Sequence, residues 1–203
     1  MKKFLVSLSS LLFLSAPVLA EENKGGLFVE PMITYEAGEG EINYPNPFGN
    51  SDTDTSGFGI GGRLGFHVYK SVFIGADGRY SFLDYEDSSA DQETDATAWN
   101  FGPTVGIQMP TDIALRIWGT IILAGQLDSE KDNGFDTRFE EGSGYRIGAG
   151  LKLGIASVNL EYQNMTYDKI KIQSVGGFGT NSSSNLEFDN STWIASLSFP
   201  IGL

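Results

Sequence analysis

From Leu27 to Leu203 the chain contains eight short stretches in which apolar residues alternate with polar or very small ones. The stretch from Gly57 to Tyr69 shows the pattern most plainly, since nearly every second residue is large and apolar while the residues between are mostly glycine, with one arginine and one histidine. Alternation with a period of two is typical of a β-strand, whose successive side chains point to opposite faces. The sequence therefore predicts an all-β chain whose strands each have one apolar and one polar face.

The connections between these stretches alternate between tight turns and long, acidic segments. Three are tight, at 69–71, 110–112 and 156–157, and four are long. Strand alternation alone fits a soluble sandwich or a lipocalin-like barrel as well as a membrane barrel. Short turns at one end, long loops at the other and aromatic residues near the strand ends favour the membrane barrel. We therefore expect an eight-stranded antiparallel up-and-down transmembrane β-barrel with short periplasmic turns and long extracellular loops.

The first twenty residues have the features of a secretory signal peptide. Lys2 and Lys3 precede an apolar run over 4–14, and a small-residue site ends at Ala20. The run is shorter than the roughly 20 residues that a membrane-spanning helix needs. We expect residues 1–20 to be a cleaved signal peptide and residues 21–203 to form one barrel domain, integral to the outer membrane.

Charge and composition narrow the choice of partners. The formal charge is -13, and removal of a signal peptide with two lysines and no acidic residue takes it to -15. This much negative charge argues against a nucleic-acid partner. The chain has no cysteine, so disulfides do not stabilise it after export. Glycine occurs 26 times, often on the polar face, where a small residue relieves crowding inside a narrow barrel.

The last strand, Trp193 to Leu203, looks like the C-terminal signal by which the barrel-assembly machinery recognises its clients. It departs from the usual signal by containing Pro200 and by ending in leucine where an aromatic residue is usual. With the strand number and the loop alternation, it makes the chain from about Leu27 onward resemble the small eight-stranded outer-membrane proteins of Gram-negative bacteria, such as the OmpA transmembrane domain, OmpX and OmpW. The resemblance implies a monomer in contact with outer-membrane lipid and lipopolysaccharide, with the assembly machinery as a partner. We expect no counterpart of OmpA's peptidoglycan-binding domain.

Charged residues of both signs fall on the face predicted to point into the barrel. Charges in a low-dielectric interior must pair, because an isolated one costs several kcal/mol. Eight strands enclose a space just wide enough for side chains to fill. We therefore interpret these residues as a structural ion-pair network that plugs the lumen, and the alternative is the lining of a narrow channel for ions or small solutes, favoured by the inward glycines. The candidate residues are Glu30, Arg63, Asp77, Arg79, Arg116, Arg146, Lys152 and Glu161.

A lipid-modifying enzyme on this fold would need a nucleophile and a general base near the outer leaflet. The single histidine, His67, lies two residues before a short turn, which places it at the periplasmic end. Its neighbours Arg63 and Gly65 offer no nucleophile. We therefore expect no enzymatic activity and no cofactor, and we interpret His67 as a packed or interfacial residue.

Acidic residues cluster in the predicted loops, where they keep the loops solvated or, alternatively, bind divalent cations or a surface ligand. The segment 128–136 is distantly similar to a calcium loop, but Asn133 stands where the EF-hand pattern has glycine, and we predict no metal site. The fourth loop, Asp168 to Asn190, is predicted to extend the seventh strand as a hairpin whose edge is available to a partner protein. The other clusters are Glu39, Glu41, Asp52 and Asp54 in the first loop, Glu86, Asp87, Asp91, Glu93 and Asp95 in the second, and Asp128, Glu130, Asp132, Asp136, Glu140 and Glu141 in the third. Together these features predict a structural or surface-interaction role.

Overall fold

The computed structural model describes residues 25–43, 50–69, 71–87, 92–132, 135–175, 178–184 and 188–203. The predicted signal peptide lies outside the described residues. The described part of the chain holds no helix of sufficient length and hydropathy to cross a membrane. Its strands are β1 (Leu27–Asn43), β2 (Asn50–Tyr69), β3 (Val72–Asp87), β4 (Gln92–Gln108), β5 (Ile113–Ile122), β6 (Ala124–Asp132), β7 (Phe135–Leu153), β8 (Ala156–Val175), β9 (Phe178–Ser184), β10 (Phe188–Ser198) and β11 (Ile201–Gly202).

The described strands pair antiparallel and close into one barrel. β1 pairs with β2 on one side and with β10 and β11 on the other, so the first and last strands complete the sheet. β5 and β6 together fill one strand position between β4 and β7. β9 and β10 both pair with β8 and, with β11, fill the last position. The predicted eight-stranded antiparallel barrel is therefore confirmed.

The pairing register sets the width of the barrel. Following paired residues once round the barrel from Leu27 in β1 leads back to β1 at Ala37, a stagger of 10 residues (37 minus 27). With eight strands, this stagger corresponds to a strand tilt of about 40° and to an interior that side chains can fill.

The outer face of the barrel is apolar between the short turns and a ring of aromatic residues. Phe58 on this face is 70% exposed, whereas Arg63 on the inner face is 1% exposed. At the end away from the short turns, three aromatic pairs on the outer face have ring centroids 5.1 to 5.2 Å apart, and they are Tyr35 with Phe58, Tyr80 with Phe82, and Tyr162 with Trp193. An apolar band that ends in an aromatic girdle is the surface that a bilayer covers.

Beyond this girdle the strands continue, but the polarity of their faces reverses. On β8, Met165 and Tyr167 point inward and are 1% and 4% exposed, while Thr166 and Asp168 point outward. The inward residues join one buried apolar cluster, which also contains Leu83, Tyr85, Ala96, Ala98, Ile122, Leu127, Phe139, Ile170 and Phe188. The extracellular part of the barrel thus has an apolar interior and a polar exterior, as a soluble barrel has.

This extension corrects the prediction of long acidic loops. Apart from Asp91, which lies outside the described residues, the clustered acidic residues of the first three predicted loops belong to strands. The likeness of 128–136 to a calcium loop is wrong, because 128–132 end β6 and 135–136 begin β7. Asp128 instead binds Arg138 across the hairpin, with 2.6 Å between Oδ2 and Nη2. The predicted hairpin in the fourth loop is confirmed, since β8 continues to Val175 and pairs with β9.

Leu123 interrupts the strand position shared by β5 and β6 and shifts the alternation by one residue. Ile122 before it and Leu127 after it are both buried in the lumen, at 1% and 2% exposure, although they are an odd number of residues apart. One extra residue in a strand, as in a β-bulge, has this effect. The sequence pattern placed Gln126 on the inner face, and the structure places it on the outer face.

The turn between β7 and β8 lies two residues earlier than predicted. Leu153 pairs with Ala156, so the turn consists of Gly154 and Ile155. Gly154 has a φ of 62°, in the left-handed region that favours glycine. This two-residue turn holds the register of the two longest neighbouring strands at the periplasmic end.

Candidate functional site in the barrel lumen

Three layers of buried side chains follow one another along the lumen. Nearest the short turns, Phe28, Phe73 and Trp118 form an aromatic cluster. The charged residues lie above it, and the extracellular apolar cluster described above lies beyond them. The charged layer contains the candidate residues that the sequence identified.

Glu30 on β1 holds two arginines at once. Its carboxylate accepts one hydrogen bond from Arg63 at 3.2 Å and two from Arg116, each at 2.7 Å. The hydroxyl of Ser198 donates a further bond at 2.7 Å. Arg63 is the cross-strand partner of Glu30 on β2, whereas Arg116 comes from β5. A carboxylate 1% exposed is thus satisfied by donors from three directions.

Asp77 on β3 faces three arginines. It accepts hydrogen bonds from Arg63 Nη2 at 2.9 Å, Arg79 Nε at 3.2 Å and Arg146 Nη1 at 2.7 Å. Arg63 lies on β2 and Arg146 on β7, so Asp77 ties separate parts of the barrel wall together. Charge-assisted bonds of this kind are stronger than neutral ones.

Glu161 on β8 continues the network. It accepts hydrogen bonds from Arg79 Nη2 at 2.7 Å, Trp118 Nε1 at 3.3 Å and Ser196 Oγ at 3.2 Å. Arg79 therefore bridges Asp77 and Glu161. Seven of the eight candidate residues lie in this one network, which spans the lumen.

Neutral side chains complete the network. Arg146 donates to the side-chain oxygens of Gln163, at 3.0 Å from Nε, and of Asn100. A further acid, Glu36, is 5% exposed and accepts hydrogen bonds from Ser81 at 2.8 Å and Thr34 at 3.1 Å.

The sequence-based selection missed Glu36, although the residue shares the inner face of β1 with Glu30, and that parity was the signal that could have found it. Four arginines face the three carboxylates of Glu30, Asp77 and Glu161, which leaves one positive charge in excess (4 minus 3). Glu36 balances this charge within the lumen.

Lys152 lies apart from the network. It is only half-buried, next to the turn that joins β7 to β8, and it has no ion-pair partner among the described residues. His67, also near the short turns, packs against Phe28 and Phe73, with ring centroids 5.0 and 6.0 Å apart. In the described ranges, no group of three or more histidine or acidic side chains is arranged to hold a metal ion.

We expect Lys152→Ala to change the free energy of unfolding by no more than about 0.5 kcal/mol, because the ammonium group can leave no buried partner unpaired. Arg63→Ala serves as the comparison and is expected to cost several times as much, since it strips donors from Glu30 and Asp77. Urea unfolding of both variants in lipid vesicles, followed by tryptophan fluorescence, measures the difference. Equal losses in the two variants would contradict the separation of Lys152 from the network.

The inward glycines leave no open channel in the lumen. A Cβ atom at Gly148 would lie 2.5 Å from the ring of Trp118, and one at Gly106 would lie 2.3 Å from Phe73. At Gly125 the same test meets Met165 at 2.4 Å. These glycines therefore make room for a large side chain from a neighbouring strand.

A closed antiparallel barrel with a lipid-facing apolar band, an aromatic girdle and a charged interior defines a membrane-spanning β-barrel protein. The chain belongs to the family described as outer membrane protein beta-barrel domain, which matches residues 6–199. It is an integral protein of the outer membrane. None of the curated proteins matches the sequence.

Several solved outer-membrane structures share the fold at low sequence identity. Neisserial surface protein A is 10% identical with a TM-score of 0.48, and the match covers 87% of this chain and 98% of that one. The outer membrane protein OprG from Pseudomonas aeruginosa is 12% identical with a TM-score of 0.49, covering 88% and 97%. The outer membrane protease OmpT from Escherichia coli is 10% identical with a TM-score of 0.45, covering 87% and 97%.

Proposed function

We propose that this protein is a structural barrel of the outer membrane with a closed lumen, and that its extracellular extension presents a surface for contacts. The continuous filling of the lumen, from the aromatic layer through the charged network to the extracellular apolar cluster, supports this role. We also propose that it is a monomer in contact with lipid and lipopolysaccharide, delivered by the barrel-assembly machinery through its last strand.

The charged layer is an effective plug because its bonds cross the lumen. Glu30 on β1 binds Arg116 on β5, and Asp77 on β3 binds Arg146 on β7. Each of these four side chains is at most 2% exposed. Opening a path for ions would leave buried charges unpaired, which costs several kcal/mol for each broken pair.

The apolar cluster closes the extracellular end in a second, independent way. Phe188 is 0% exposed, and its ring lies 4.6 Å from that of Phe139 and 5.7 Å from that of Tyr167. Hydrated ions do not cross a packed apolar layer. The enzymatic alternative gains no support from His67, whose ring packs against two phenylalanines.

Single-molecule conductance in a planar bilayer tests the closed lumen. We expect the refolded protein to give no discrete openings, while its heat-modifiable gel mobility shows that the same preparation is folded. The Arg63→Ala, Lys152→Ala double variant is recorded alongside it. Discrete openings of the unmodified protein, with an ion selectivity that changes in the double variant, would establish a pore and refute the proposal.

A further inference from the structure

The outer face of β1 to β4 carries a depression in the middle of the apolar band. Gly62 and Gly78 form its floor and are paired directly across β2 and β3. Pro31 on β1 and Phe101 on β4 stand on either side of them in the same row. This depression, here called the glycine groove, has a volume of about 340 Å³.

Nothing within the chain requires glycine at these two positions. A Cβ atom at Gly62 would have its nearest neighbour, the carbonyl oxygen of Glu30, at 3.9 Å, and one at Gly78 would have that of Asn100 at 4.0 Å. Neither glycine has a positive φ. Glycine in a strand weakens it and often marks a close approach by another molecule. Whatever fills the groove must come from outside the chain, and at this depth it is hydrocarbon.

A second recess lies above the glycine groove on the same face, beyond the aromatic girdle. It has a volume of about 660 Å³, with Ala37 and the directly paired Ser56 among the residues that line it. Trp193, 57% exposed, lines one end. The acidic residues of this recess, here called the acidic cleft, are Glu39, Asp54 and Asp84.

The distance between the two recesses matches one leaflet. Gly62 and Ser56 are six residues apart on β2, which is about 20 Å along the strand. A strand tilt of about 40° reduces this to a depth of roughly 15 Å. Half of the hydrocarbon core of a bilayer is about 15 Å thick. An acyl chain that descends from a headgroup at the acidic cleft therefore ends at the glycine groove.

The lining of the acidic cleft fits a sugar headgroup. An exposed indole ring, such as that of Trp193, packs against the apolar face of a sugar ring. Carboxylates such as Glu39 and Asp84 accept hydrogen bonds from hydroxyl groups. An acylated glycolipid has both parts, sugars for the cleft and a saturated chain for the groove.

We infer that the outer face of β1 to β3 binds one molecule of the outer leaflet's glycolipid, the lipid A part of lipopolysaccharide, with its sugars in the acidic cleft and one acyl chain in the glycine groove. This inference depends on the membrane location of the barrel and is independent of whether the lumen conducts. It identifies a defined lipid site, where the rest of the apolar band makes only general contact with the bilayer.

The test fills the groove without touching the lumen. The double variant Gly62→Val, Gly78→Val adds side chains that have room and suit a strand. Gly119→Val is the matched control, because Gly119 is another glycine off the inner face with no atom closer than 4.0 Å to an added Cβ, and it lies on β5, away from the groove. Heat-modifiable gel mobility shows that all three proteins are folded.

Native mass spectrometry then counts the lipid that each protein retains. The protein is refolded in detergent with lipid A and Mg²⁺, since free phosphates would be repelled by the carboxylates of the acidic cleft. We expect the unmodified protein and Gly119→Val to retain one lipid A molecule, and the double variant to retain about tenfold less, because it loses close contact with about two methylene groups.

Two results would overturn the inference. Equal retention by the double variant and the control would show that the groove holds no chain. Equal retention of phosphatidylethanolamine in place of lipid A would show that the site does not select a glycolipid.

Discussion

Replacing Asp77 by asparagine is expected to lower the free energy of unfolding by about 3–5 kcal/mol, the range observed when one partner of a buried ion pair is removed. The side chain keeps its shape and loses its charge. Arg63, Arg79 and Arg146 then share a buried site without the carboxylate that holds all three, and the nearest remaining acids are already bonded to other groups.

Asp84→Asn is the matched control, because Asp84 lies on the same strand, is exposed on the outer face and faces no buried arginine. Urea unfolding in lipid vesicles measures both variants. A second measurement combines Asp77→Asn with Arg146→Gln, and we expect the double variant to lose less than the sum of the two single losses, since the charges it removes are partners. A loss in Asp77→Asn no larger than that of the control would mean that the network does not stabilise the barrel.

The strand faces were predictable because they depend only on local parity. Every candidate residue, from Glu30 on β1 to Glu161 on β8, lies on the inner face as predicted, since side chains two residues apart in a strand share a face. Parity fails only where a strand gains a residue, as it does at Leu123. Nothing in the sequence marks that position, since Leu123 continues the apolar pattern of β5.

The partners of each charge could not be predicted, because they depend on the stagger of the whole barrel. Glu30 and Arg116 are 86 residues apart, and Arg79 and Glu161 are 82 residues apart. A stagger of 10 residues brings these pairs to the same height, and a different stagger would pair other residues. The same dependence explains why Lys152 remains outside the network, although it shares the inner face of β7 with Arg146.

The strand extensions beyond the girdle carried a signal that a search for apolar outer faces overlooks. On β8 the apolar residues change from the outer face, at Leu160, to the inner face, at Met165 and Tyr167, with no change of parity. An apolar stripe that changes face at one height marks the membrane surface in the sequence itself. What remains above that height reads as a loop only if the outer face alone is considered.

This extension leads to the second large expected effect. Phe188→Ala is expected to lower the free energy of unfolding of the extracellular part by about 3–5 kcal/mol, as is usual for a fully buried phenylalanine. Phe188 is 0% exposed and packs against Phe139 and Tyr167, and the cavity left behind lies among strands that no lipid supports. The membrane-spanning part should keep its heat-modifiable gel mobility, because the lost contacts lie beyond the girdle.

Limited proteolysis at increasing urea concentration, with cleavage sites located by mass spectrometry, measures the two parts separately. Asp168→Ala is the control, since Asp168 lies beside Tyr167 on β8 but is exposed. Early cleavage above the girdle in Phe188→Ala, with the control unchanged, would show that the extension is a folded barrel wall whose apolar cluster closes the lumen. If both variants were cleaved alike, the extracellular segments would behave as independent loops, and the charged network alone would have to close the barrel.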